Sequence, residues 1–202
     1  MSDARGILYE VKRRLGDVNA PVPDESDIMS YLNSALRGIW NYAIELDSPR
    51  IEAHELATCD STGVVTLTQR PVRVTRVIDL TGSRELPEFT PRSTGLVNYY
   101  GGMWGYYTTL DGIQILQGDG GEGGSLSISY YPEYAPLTER DEVLPFSSII
   151  DDIVIAWTVK LITAGRSVSV ADMGYAGTEF MNSLAHYFEG RSEDNRRGSG
   201  PW

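Results

Sequence analysis

Residues 153–162 read IVIAWTVKLI, and only Thr158 and Lys160 interrupt the apolar run. The entry Leu144-Pro145-Phe146-Ser147 precedes it and places a helix start near 147. Phe146, Ile149, Ile150, Ile153, Val154, Trp157, Leu161 and Ala164 recur at helical spacing and mark one face. Ile155, Val159 and Ile162 fall elsewhere on the wheel, so the predicted helix, about 147–164, is apolar on nearly every side. A helix of that kind must be covered from several directions, and 202 residues of modest hydrophobicity leave limited core to cover it. The expectation is that neighbouring copies supply part of the cover. Ile149, Ile153, Ile155, Trp157, Val159, Leu161 and Ile162 are then the subunit-interface candidates. A central helix in a monomeric core is the competing reading.

Upstream, Ala4, Ile7, Leu8, Val11 and Leu15 predict a short helix capped by Ser2 or Asp3 and ended by Gly16. Ile28, Tyr31, Leu32, Ala35, Leu36, Ile39, Trp40, Ala43 and Ile44 predict a longer one, with Asp24 or Ser26 as N-cap and Asp47-Ser48-Pro49 as its stop. Residues 50–135 change to alternation, β-branched residues and glycine turns. Strands are expected at Ile51–Ala57, Val64–Thr68, Val72–Leu80, Tyr106–Leu110, Ile113–Leu116 and Leu126–Tyr130. Asp111-Gly112 is the sequence of a two-residue type I′ hairpin turn. A last helix is expected near 168–189, and RSEDNRRGSGPW after it is too polar to fold alone. The fold class that follows is α+β: a helical bundle of about four helices with an inserted small antiparallel β sandwich or barrel. Its parts are N-terminal helices (1–49), an inserted β domain (50–135), C-terminal helices (136–190) and a flexible tail (191–202).

The formal charge is −11, from 17 basic and 28 acidic residues. Nucleic-acid affinity comes largely from Lys and Arg neutralising phosphates, so sequence-specific binding is not expected. An acidic wall does suit DNA passing by without sticking. Cys59 is the only cysteine, which excludes an intramolecular disulfide framework and a thiolate zinc site. No signal-peptide pattern opens the chain and no run reaches the roughly 18 apolar residues of a membrane span, so synthesis in the cytosol is expected.

Catalytic signals are sparse. His54 and His186 sit in no recognisable Ser, Cys or metal motif. Asp151 and Asp152, adjacent on a helix, point about 100° apart and suit the helix dipole better than a shared reacting atom. The loop 118–124, GDGGEGG, lacks the Gly-Lys-Ser/Thr ending of a P-loop and the spaced oxygen ligands of a calcium loop. Residues 99–107, YYGGMWGYY, are different: five aromatics lie among nine positions with no Lys or Arg. Tyr99, Tyr100, Trp104, Tyr106 and Tyr107 suit a sugar platform or a protein interface, or simply packing across a sheet. In the tail, Arg196, Arg197 and Trp202 form a basic-aromatic end that can order on a partner. No enzyme activity, cofactor or metal is expected.

The helix DESDIMSYLNSALRGIW, and the later order of a strand ending Tyr130-Tyr131-Pro132, then Leu137, Asp141, Leu144-Pro145 and a helix opening at Phe146, together resemble the head-to-tail adaptor proteins of tailed bacteriophages. The likeness is one of layout and covers most of residues 24–165. It implies a structural virion protein at the portal vertex, assembled in the host cytoplasm. Such subunits form a ring, typically of twelve copies, beneath the portal, extend the DNA channel and present a docking platform for tail or nozzle proteins. By the same resemblance Arg196, Arg197 and Trp202 become portal-docking candidates, and the aromatic segment 99–107 a tail-partner surface. Two other readings stand beside it. One is a carbohydrate-binding module of a tail component using residues 99–107. The other is a hydrolase with carboxylates near Asp111, Asp119 and Glu122, which needs two of them about 5–10 Å apart.

Overall fold

The computed structural model describes residues 2–18, 20–60, 62–89, 103–117, 124–164 and 175–189. The chain divides into two compact units: Ile51–Glu133, and a second drawn from both ends, Met1–Arg50 with Tyr134–Trp202.

In the unit drawn from both ends, α1 spans Ala4–Asp17 and buries Ala4, Ile7, Leu8, Val11 and Leu15. Asp3 caps it, accepting from the Gly6 N–H at 2.8 Å. Helix α2 spans Glu25–Glu45, its buried stripe running from Ile28 to Ile44. Leu46 closes α2, and Asp47 follows in the left-handed region at φ 53°, turning the chain at the predicted stop. A 3₁₀ turn at Ser148–Ile150 leads into α3, Asp151–Ala164, and α4 spans Tyr175–Glu189. The predicted last helix began near 168; Val168 and Ala171 lie outside the described residues.

The unit Ile51–Glu133 holds β1 (Ala53–Thr58), β2 (Val64–Thr66), β3 (Pro71–Asp79), β4 (Arg84–Glu85), β5 (Met103–Thr108), β6 (Gly112–Gln117) and β7 (Ser125–Pro132). They form two antiparallel sheets, ordered β1-β7-β3-β4 and β2-β6-β5. Both contribute to one apolar core, which includes Val65, Val74, Val77, Tyr106, Ile113, Ile115, Leu126, Ile128 and Tyr130. Strand β7 alternates as read: Leu126, Ile128 and Tyr130 face inward, between less buried serines. Strand β3 does not alternate. Pro71, Val74 and Val77 are buried at a spacing of three because the register with β7 shifts twice, between Pro71 and Arg73 and again between Val74 and Arg76. Each extra residue restarts the pleat, leaving Arg73 and Arg76 exposed.

The edge strand β1 places Ala53, Glu55 and Ala57 on its more buried side and His54, Leu56 and Thr58 outward. Glu55 therefore points a carboxylate toward the core side of an edge, where it accepts from the Tyr130 hydroxyl and from the Thr68 N–H. The chain between Asp60 and Val64 is organised around Asp60 Oδ1, which accepts from Thr62 N at 2.8 Å and Val64 N at 3.0 Å. Gly63 sits there at φ 81°. Asp111-Gly112 does reverse the chain, but one residue out of the expected frame: the Thr109 N–H donates to the Gly112 carbonyl at 2.9 Å, so Leu110 and Asp111 make the turn and Gly112 opens β6. Gly112 is required for another reason, since a Cβ there would lie 2.0 Å from the Val65 carbonyl oxygen of β2.

The expected fold class is corrected. The described strands make two antiparallel sheets, of four and three strands, and not a single closed barrel. The helices do not form a four-membered bundle either. Helix α3 packs against α2 and α1, whereas α1 and α2 scarcely meet and α4 touches the end of α2. The class is mixed α+β, with four helices and two antiparallel sheets among the described residues.

Burial raises three phenols, Tyr106, Tyr130 and Tyr134, to a pKa of about 12, with the Glu55 carboxylate adding to the shift at Tyr130. Their ordinary value is 10.0, so ionisation favours the unfolded chain. Their contribution to stability is intact below about pH 10 and is lost as pH rises through about 12. The unfolding free energy measured by circular dichroism in urea should therefore fall as pH rises from about 10 toward 12.

Candidate functional site

The candidate surface is built around α3. The chain enters it through Phe146, whose ring stacks at a tilt on Trp40 (5.8 Å between centroids) and edge-on against Phe188 (5.7 Å). Trp40 in turn meets Tyr134 at 6.1 Å, and Phe188 meets Tyr187 at 5.0 Å. Tyr187 accepts a hydrogen bond from the Ser147 N–H at 3.1 Å, and the Arg50 guanidinium lies 4.4 Å above its ring. Buried Ser48 donates to the Phe188 carbonyl, tying the end of α2 to α4. These rings hold the start of α3 in place.

Asp151 and Asp152 open α3 and diverge as their spacing requires. Asp151 accepts from the Ser2 hydroxyl, and Asp152 pairs with Arg14 at 2.6 Å. The Oδ1 of Asp151 is buried without a hydrogen-bond partner among the described residues, and it lies at the positive end of the α3 dipole. The two carboxylates tie the start of α3 to α1 and to the segment that precedes it.

Six positions of α3 are buried within this one chain: Ile153, Val154, Ile155, Trp157, Thr158 and Leu161. Thr158 satisfies its hydroxyl by donating to the Val154 carbonyl at 2.7 Å. The outer edge of the Trp157 indole abuts α2, where a Cβ on Gly38 would fall 2.9 Å from it. At these positions the helix is therefore already sheltered within a single chain. Ile153, Ile155, Trp157 and Leu161 are consumed by the protomer's own core, because α1 and α2 cover two sides of α3 and the absence of a side chain at Gly38 admits the indole. Of the remaining interface candidates, Val159 and Ile162 are half-buried, and Ile149 is 76% exposed.

The other candidates are scattered. Tyr106 is a core residue, 4% exposed, with its N–H bonded to the Pro87 carbonyl, so it offers no stacking face. Tyr107 is half-buried, and Trp104 lies in β5. Tyr99, Tyr100, Arg196, Arg197, Trp202, Asp119 and Glu122 lie outside the described residues. His54 is exposed on β1 beside Ser129, and His186 is exposed on α4. The Cys59 thiol is buried, and burial raises its pKa. Among the described residues no group of three or more His, Cys, Asp or Glu is placed to hold a metal ion. No described helix is long and apolar enough to cross a membrane.

Three residues of the helical unit escape a reading by pattern. Asn33, in the middle of α2, uses its amide as a substitute peptide: Oδ1 accepts from Leu137 N and from the Tyr134 hydroxyl, both at 2.8 Å, and Nδ2 donates to the Leu137 carbonyl at 2.9 Å. Gly38 is the second, and a lone glycine inside a strong helical stripe is its only signal. Tyr9 is the third, 71% exposed on the side of α1 away from its buried residues. No protein-family model matches this chain, and no characterised protein matches it in sequence.

Two substitutions test the packing. Helix propensity alone makes Gly38→Ala stabilising by about 1 kcal/mol. The contact with Trp157 reverses the sign, so urea unfolding should show a net loss of about 1 kcal/mol or more. Asn33→Ala leaves Leu137 and Tyr134 without partners and should cost about 2 kcal/mol in the same measurement.

Proposed function

We propose that the chain is a structural subunit of a head-to-tail adaptor of a tailed bacteriophage, a homo-oligomeric ring beneath the portal that extends the DNA channel and gives tail or nozzle proteins a platform. The observation that carries this reading is the order of elements: α1 and α2, then the separate β unit Ile51–Glu133, then a proline-led entry into the apolar α3 that completes the helical unit. That is the order in which the resembling family arranges its helices and its β region. The charge of −11 supports a DNA path that repels the polymer rather than holding it. In this reading the chemistry is non-covalent. Arg196, Arg197 and Trp202 dock on the portal, and the segment 99–107 faces the tail.

Because α3 is largely covered within the protomer, the fold does not depend on the ring, and subunits can exist singly before a portal gathers them. Ring contacts then use what α3 leaves uncovered, Ile149, Val159 and Ile162, together with surfaces of other helices.

Mixing the purified protein with the portal of the same virus and imaging the product by electron microscopy should show a closed ring of copies on one end of the portal. Truncation after residue 190 should abolish that docking and leave the circular dichroism spectrum unchanged. Portals that stay bare in the presence of excess full-length protein would remove the reading.

A further inference from the structure

The outward face of the sheet β1-β7-β3-β4 carries a chemical grouping that ring assembly does not use. On β7 the serines alternate with the core residues, so Ser127 and Ser129 face away from the apolar interior. His54 of β1 stands directly across from Ser129, and its Nδ1 lies 2.8 Å from the serine Oγ. The other ring nitrogen, Nε2, faces Glu52 Oε2 at 3.8 Å. The Glu52 side chain is only 19% exposed, and its second oxygen, Oε1, accepts from the Thr75 hydroxyl. Thr75 is the residue inserted at the second register shift of β3, between Val74 and Arg76. A bulge re-aims a side chain. Here it sends a hydroxyl to the carboxylate that faces the imidazole.

A hydroxyl, an imidazole and a carboxylate in this order supply a nucleophile, a general base and a group that orients the base. With the Nε2 proton directed at Glu52, Nδ1 presents its lone pair to Ser129. Contacts such as the one to Glu52 are commonly long in the resting protein and tighten when the imidazole takes up a proton. The surroundings define the substrate. The next row across the strands is Leu56, Ser127 and Ile78, paired in register. Leu56 is 81% exposed and Ile78 is half-buried, with the small Ser127 between them. Neighbouring strands lie ~4.8 Å apart, so these two apolar rails stand ~10 Å from each other. They border a shallow furrow along β7 that is wide enough for a short acyl chain.

We propose that Ser129 is the nucleophile of an ester-hydrolysing site, with His54 as general base, Glu52 as positioning residue and short, uncharged acyl esters as the substrate class. Ser129 Oγ bonds to the ester carbonyl carbon as its proton passes to His54 Nδ1. The tetrahedral adduct then expels the alcohol oxygen, which takes that proton, and acyl-Ser129 remains. Water, deprotonated by His54 Nδ1, attacks the same carbon. The carboxylic acid departs and Ser129 Oγ recovers its proton. The sum converts ester and water into acid and alcohol. The backbone of β7 is engaged by β1 and β3 on its two sides, so it lends no N–H to the developing oxyanion. Turnover is therefore slow and favours esters with a good leaving group. This inference stands independently of the ring reading.

The test uses the full chain with p-nitrophenyl acetate and p-nitrophenyl butyrate. Release of p-nitrophenol should exceed the rate in buffer roughly tenfold or more. Peptide mass spectrometry of acid-quenched protein should find the acyl group on Ser129. Ser129→Ala should return the rate to that of buffer and remove the adduct. His54→Gln, which keeps a polar side chain at this exposed position, should do the same. Glu52→Gln should lower kcat roughly tenfold with KM unchanged. Leu56→Ser should reduce the butyrate-to-acetate rate ratio roughly threefold. Ser125→Ala, at the far end of β7, is the control and should leave both rates unchanged. A rate no greater than that of buffer overturns the proposal, as does acyl transfer that survives Ser129→Ala or His54→Gln. A kcat untouched by Glu52→Gln removes Glu52 from the mechanism, and a rate ratio untouched by Leu56→Ser overturns the furrow as the acyl site.

Discussion

The helical unit depends on closing two sides of α3 at once. A 14-residue helix carrying Ile153, Val154, Ile155, Trp157 and Leu161 has no solvent-tolerant face wide enough to stand alone. The largest of these side chains fixes the geometry. Trp157 can approach α2 only because Gly38 withholds a side chain, and the loss of helix propensity at Gly38 is the cost of a close interhelical contact. Helix α1 covers a further part of α3 through its own apolar stripe, and Arg14 reaches Asp152 at the helix start. The aromatic chain Trp40, Phe146, Phe188 and Tyr187 then orients the entry.

Much of this arrangement is written in periodicity. The stripes of α1 and α2 name their buried residues almost one for one, since each helix buries one face and the pattern records it. The same logic fails for α3. A pattern that is apolar all round says that cover is needed, and it is silent on whether the cover comes from the same chain or another. Strand β3 fails for a different reason. Its Pro71, Val74, Val77 spacing looks irregular because two bulges shift the pleat, and bulges are set by the partner strand β7, whose sequence lies more than fifty residues away. Asp111-Gly112 shows the limit of local turn chemistry: the reversal is local, but the need for glycine comes from the β2 backbone.

The candidate functional residues were less legible than the fold. Charge and composition argue against nucleic-acid recognition, yet they do not choose among surfaces. Tyr106 belongs to an aromatic-rich segment, and only the pairing of β5 with β6 shows that its ring fills the core. Tyr9 carries no sequence signal beyond standing off the apolar stripe. Asn33 is marked solely by being a poor helix former at mid-helix, and its partners lie about a hundred residues downstream.

One detail of the β unit bears on life at high local concentration. Strand β1 is a six-residue border with Leu56 81% exposed, the kind of margin to which stray strands add. The Glu55 carboxylate, turned inward and tethered by Tyr130 and Thr68, makes that margin a poor template, because any newcomer aligned there must lie alongside a fixed negative charge. Copies crowded together can therefore remain separate proteins instead of zipping into continuous sheet.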